Sequence, residues 1–111
     1  MKAVELFLLL AVTPAWLIWA GDVQAGRALF QNQCSACHGS LGKGNPALSQ
    51  VLGVTIADLT SRRVQSQSDA ALRKTLAEGK GKMQPMKTQS DSDIDDVISY
   101  VRTLAGSDRR R

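Results

Sequence analysis

The chain has 111 residues and a formal net charge of +4, enough length for one domain and too little positive charge to argue for nucleic acid, of which no motif is present. Its two cysteines and one histidine are too few donors for a structural zinc of the usual four-ligand kind. No internal repeat, low-complexity stretch or Pro/Ser-rich linker divides it.

At the start of the chain, Lys2 precedes an apolar run from Leu6 to Ala20, broken only by Thr13 and Pro14. That is the layout of an export signal. Val23 and Ala25 supply small residues at −3 and −1, so the expected signal is residues 1–25; a cut after Ala20 would put the bulkier Ile18 at −3. Retention as a membrane anchor is the rival reading, against which stands the length of the run, 15 residues where a spanning helix needs about 20. Both readings deliver the domain, residues 26–106, to the periplasmic side of a bacterial membrane. Removal through Ala20 takes out Lys2 and Glu5, one charge of each sign, and leaves the +4 unchanged. The remaining 86 to 91 residues make a marginal apolar core, which a buried prosthetic group would complete.

The first helix is expected from Val23 or Ala25 onward, because Gly26, Phe30, Cys34 and Cys37 recur at four, four and three and line one stripe. Phe30 is read as packing. Cys34, Cys37 and His38 then leave one face within a single turn. Cys-x-x-Cys-His is the attachment signature of c-type haem, with two thioethers to the porphyrin and the imidazole on the iron. A thioredoxin-like dithiol would need a βαβ context, which the pattern lacks. Gly39 closes the helix.

Residues 39–63 are irregular, with five glycines or prolines scattered among short apolar pieces and one helical turn near Ala47 to Leu52. They read as a loop wrapped around the haem. Within Asn45-Pro46-Ala47-Leu48, Pro46 is the candidate whose carbonyl takes the second ring N–H of His38 and fixes its tautomer. A second helix opens at Ser68 with Asp69 in its first turn, buries Ala71, Leu72, Thr75 and Leu76, and stops at Gly79. A third opens at Ser90 or Ser92, repeats Ile94, Val97, Ile98, Val101 and Leu104, and ends before Gly106. Three main helices without a convincing strand make an all-α domain.

The sixth position on the iron separates electron transfer from ligand chemistry. With one histidine in the chain, bis-histidine ligation is excluded, and beyond Met1 the remaining donors are Met83 and Met86. Both lie in Gly79-Lys80-Gly81-Lys82-Met83-Gln84-Pro85-Met86, held out of helix by glycine and proline. A thioether there would stabilise reduced iron and raise the potential.

These elements together resemble a class I cytochrome c of the small bacterial type. The resemblance runs from Gly26 to Leu104: Gly-x-x-x-Phe, Cys-x-x-Cys-His-Gly, Asn-Pro-x-Leu, a helix ending in Glu-Gly, Gly-Lys-Gly-Lys-Met-x-Pro and Tyr-Val-Arg-x-Leu. It implies one covalent haem c, Met83 as distal ligand, and first and last helices crossing at Gly26, Phe30 and Tyr100. Gln84 stands between Met83 and Pro85, where relatives often have proline next, so Met86 stays the competitor. The tryptophan that mitochondrial relatives place beside a propionate has no counterpart, since Trp16 and Trp19 lie in the signal; Arg62 or Arg63 is the substitute candidate, a solvated basic turn the alternative.

Lys43, Lys80, Lys82 and Lys87 flank the loops that approach the haem, forming a candidate rim for an acidic redox partner. Arg109, Arg110 and Arg111 form a basic tail within residues 107–111. The expected protein is a monomeric, non-enzymatic single-electron carrier between redox proteins of a respiratory or periplasmic chain. The alternatives are a haem subunit of a multi-protein dehydrogenase or oxidase, or a haem sensor or catalytic site with an open sixth position.

Overall fold

The structure, a computed structural model, describes residues 21–87 and 90–107. Residues 1–20 of the expected signal 1–25, with its apolar run Leu6–Ala20, and the tail arginines Arg109 to Arg111 lie outside the described residues. Among the described residues six helices follow in order: α1 Val23–Gln33, α2 Ser35–His38, α3 Pro46–Leu52, α4 Arg62–Gln65, α5 Asp69–Glu78 and α6 Asp91–Thr103. Among the described residues the only β pairing is an isolated bridge between Lys80 and Met83. The all-α expectation holds.

Each long helix begins at a side chain that satisfies its free N–H groups. Asp22 Oδ1 accepts from Gln24 and Ala25 at 2.9 and 3.1 Å, Ser68 Oγ from Ala71 at 3.1 Å, and Ser90 Oγ from Asp93 at 3.2 Å. Ser90, not Ser92, is therefore the start of α6. Gly79 stops α5 with a φ of 76°, a conformation that glycine adopts without a Cβ penalty.

The apolar spacing of α1 and α6 then decides the packing. Gly26 and Phe30 of α1 are buried against Ile94, Val97, Ile98, Tyr100 and Val101 of α6. A side chain at Gly26 would meet Asp96 O and Tyr100 Cβ, so glycine allows the two backbones to touch. One turn on, the Phe30 and Tyr100 rings sit 5.2 Å apart at 54°, a tilted arrangement favoured by aromatic quadrupoles. Burying Phe30 contributes about 1.5–3 kcal/mol. The crossing implied by the resemblance is present. Leu76 of α5 and Met86 complete the core.

Polar ties hold α5 and the segment before it to α6. Arg73 pairs with Asp95. Arg102 donates to Gln65 O at 2.8 Å, Gln67 O at 2.6 Å and Asp69 Oδ1 at 2.7 Å. The short helix α4 carries no periodic signal, since it has four residues of which Val64 alone is buried; Ser61 caps it.

Candidate functional site

Cys34 stands at the break between α1 and α2, with φ −117° and ψ −30°. The hydrogen bonds nevertheless keep helical register through it: Cys34 N donates to Phe30 O at 2.8 Å and His38 N to Cys34 O at 3.0 Å. The one-turn spacing of Cys34, Cys37 and His38 survives the break. Gly39, at φ 81°, then reverses the chain, and Gly44 N returns to His38 O at 2.7 Å.

No disulfide joins the two sulfurs. Cys37 is exposed, while Cys34 is half-buried against the core cluster. Burial, with a smaller contribution from the neighbouring Cys37 sulfur, pushes the Cys34 thiol up to about 11.

His38 Nδ1 lies 3.1 Å from Ala57 O. A carbonyl can only accept, so the proton sits on Nδ1 and the Nε2 lone pair is left for a metal. The acceptor expected at Pro46 is thus supplied by Ala57. Pro46 is instead the first residue of α3, where its fixed φ suits N1 and its missing N–H costs nothing. Its carbonyl follows the helix axis like any first-turn carbonyl. Asn45 caps the same helix, Oδ1 accepting from Leu48 at 3.1 Å. The sequence offered little pointer to Ala57, because a main-chain carbonyl leaves no side-chain signature; only the turn-forming Asp58-Leu59-Thr60-Ser61 that follows marks the place.

The two methionines are used differently. Met86 is 5% exposed within the core cluster, and its N–H donates to Leu76 O at 2.9 Å. Met83 is half-buried and packs at the edge of that cluster. Its loop is tight: Lys80 and Met83 exchange main-chain hydrogen bonds of 3.0 and 2.9 Å, and a Cβ on Gly79 would lie 2.5 Å from Met83 O.

Two further bonds fasten this loop. Lys82 Nζ donates to Leu52 O, at the C-terminal end of α3, at 2.5 Å, where a cation meets the negative end of the helix. Lys87 N donates to Gln33 Oε1 at 3.0 Å, at the end of α1. Lys80, Lys82 and Lys87 are exposed and Lys43 is half-buried. Arg62 and Arg63, the propionate candidates, are exposed on α4.

Two thiols and an imidazole with its Nε2 free lie within one turn, and Cys34 and Met83 pack against the same core cluster; that donor set fits a covalently held haem. The comparisons agree. A family model described as Cytochrome c matches residues 23–105. A cytochrome c6 of Cyanidioschyzon merolae is 29% identical over 105 residues, covering 95% of this chain and 96% of the relative. A cytochrome c6 of Synechocystis sp. is 37% identical over 84 residues, 74% of this chain and 65% of the relative. A cytochrome c-554(547) of Halothiobacillus neapolitanus is 31% identical over 91 residues, 77% of this chain and 99% of the relative. A solved c-type cytochrome, KustC0563, shares the fold with a TM-score of 0.60 at 24% identity, over 72% of this chain and 96% of its own.

Proposed function

The chain belongs to the cytochrome c family, and from that premise we propose that it carries single electrons on one haem c held by Cys34, Cys37, His38 and Met83. Haem c supplies the redox couple. The chain's residues fix its surroundings. Cys34 and Cys37 would hold it through thioethers. His38, its Nδ1–H held by Ala57 O, would offer Nε2 to the iron. Met83 would add a thioether, a neutral donor that favours the reduced state.

The observation that carries this reading is the division between the methionines. Met86 is buried in the core, so a role at the iron would strip the core cluster of a member. Met83 sits at the edge of the core on a loop fastened to α1 and α3. A sixth position filled by Met83 would suit a carrier.

The family is one of electron carriers serving redox partners. Here Lys43, Lys80, Lys82 and Lys87 form the rim that steers an acidic partner, and the association rate falls with salt. The N-terminal segment, residues 1–25, exports the chain to the periplasm.

The test is an absorption spectrum of the haem-loaded protein beside Met83→Ala and Met86→Ala. The wild type is expected low-spin with the far-red iron–thioether band, lost in Met83→Ala and kept in Met86→Ala. Loss in Met86→Ala alone would reverse the ligand assignment. A wild type that lacks the band and binds carbon monoxide readily when reduced would overturn the carrier reading in favour of an open sixth position.

A further inference from the structure

We propose that Asp58 is a positioning residue for the haem ligand His38, acting through the Ala57 carbonyl; the inference rests on His38 being the proximal ligand. The carbonyl that receives His38 Nδ1–H belongs to the planar peptide unit joining Ala57 to Asp58, so its direction is set by the Ala57 ψ and the Asp58 φ. Asp58 is tied through both its carboxylate and its own carbonyl. Its Oδ1 accepts from Thr60 N at 2.9 Å and from Thr60 Oγ1 at 2.7 Å. Its own carbonyl accepts from Ser61 Oγ at 2.6 Å and Ser61 N at 3.2 Å.

These bonds are not a surface ornament. Thr60 is 4% exposed, the one buried polar residue among the described residues, and Asp58 Oδ1 is the acceptor for its hydroxyl. Without the carboxylate, a buried hydroxyl and a main-chain N–H lose their partner. The next residue is clamped from both sides: Leu59 N donates to Gly42 O at 2.7 Å, and Leu59 O accepts from Gln65 Nε2 at 2.7 Å, which also donates to Val101 O of α6 at 2.9 Å. The Ala57–Asp58 peptide is therefore anchored to the core on its C-terminal side, and Asp58 transmits that anchoring back to the carbonyl facing His38. A carbonyl held in place keeps the Nδ1–H bond short and the imidazole a strong donor, which lowers the reduction potential. Loosening Asp58 releases both.

The experiment compares haem-loaded wild type, Asp58→Ala, Asp58→Asn and Thr60→Val. Two quantities are read: solvent exchange of the His38 Nδ1 proton by NMR in the reduced protein, and the reduction potential. In Asp58→Ala the proton exchanges about tenfold faster or more, the change expected from weakening one hydrogen bond, and the potential rises. Thr60→Val moves both in the same direction by less, because Thr60 N keeps its bond. Asp58→Asn, which retains the Oδ1 acceptor, stays near wild type. If the Ala variant is less stable but its proton exchange and potential equal those of the wild type, Asp58 is only a loop tie and the proposal fails. If Asn behaves as Ala, the effect comes from charge and the proposal fails likewise. A wild type without a His38-ligated low-spin haem would instead refute the reading beneath it.

Discussion

An ideal Cβ on Gly26 would lie 1.9 Å from the main-chain oxygen of Asp96, so α1 and α6 meet backbone to backbone at that point. The obstacle is main chain and cannot rotate away. Gly26→Ala must therefore part the helices that carry Phe30 and Tyr100, and unfolding of the haem-loaded protein in guanidinium is expected to show a loss of about 3 kcal/mol, the upper range for overpacking. Gly53→Ala is the contrast: nothing lies within 4 Å of its Cβ, and its φ of 66° makes the penalty purely conformational. That variant should lose about 1 kcal/mol. Equal losses would mean that the close approach is not what holds Gly26.

The helices were legible because their signals are local. Ser68 and Gly79 bound α5, Ser90 opens α6, and the three-four spacing from Ile94 to Val101 selects the face that is buried. The thiols and the imidazole were legible for the same reason, since one turn of helix sets their spacing. Ala57 was not. It reaches His38 across 19 residues of chain, and its position depends on Leu59 meeting Gly42 and Gln65 meeting Val101, contacts with no periodicity to read. Pro46 drew attention because proline stands out in a sequence, and its fixed φ is used by α3.

Phe30 is fully buried and faces Tyr100, whereas Met86 is a flexible side chain in the same cluster. Phe30→Leu keeps most of the apolar volume and loses the ring pair, so a cost of about 1–2 kcal/mol is expected. Phe30→Ala opens a cavity at the α1–α6 crossing and should cost about 3–5 kcal/mol. Both are read by denaturant titration followed at the haem band, and a Leu variant as damaged as Ala would assign the energy to ring geometry instead of volume.

Arg102 separates the value of its hydrogen bonds to main-chain carbonyls from that of an exposed ion pair. Its partner Asp69 is 69% exposed, so Asp69→Asn should cost under about 1 kcal/mol, with added salt masking the difference. Arg102→Ala also releases the carbonyls of Gln65 and Gln67 ahead of α5 and should cost about 2 kcal/mol, little changed by salt. Denaturation at low and high ionic strength checks both; a salt-sensitive Arg102→Ala would place the energy in the ion pair.

In the haem-free chain, the Cys34 thiol is pushed from 9.0 up to about 11, first by burial and then by the nearby Cys37 sulfur. The thiolate is the nucleophile, so at pH 8 Cys34 presents about a hundredth of the thiolate of an ordinary cysteine. Cys37 is exposed. Iodoacetamide at pH 8 is therefore expected to modify Cys37 well before Cys34, as read by peptide mass spectrometry. The fold prefers the protonated Cys34, so its contribution to stability is complete below pH 9 and is lost as pH rises toward 11. Over that window the haem-free chain should unfold more readily and Cys34 should catch up with Cys37. Thioether formation consumes both thiols, so the haem-loaded protein should show neither alkylation nor this alkaline loss. Equal alkylation rates at pH 8 would mean that Cys34 is not buried in the haem-free chain.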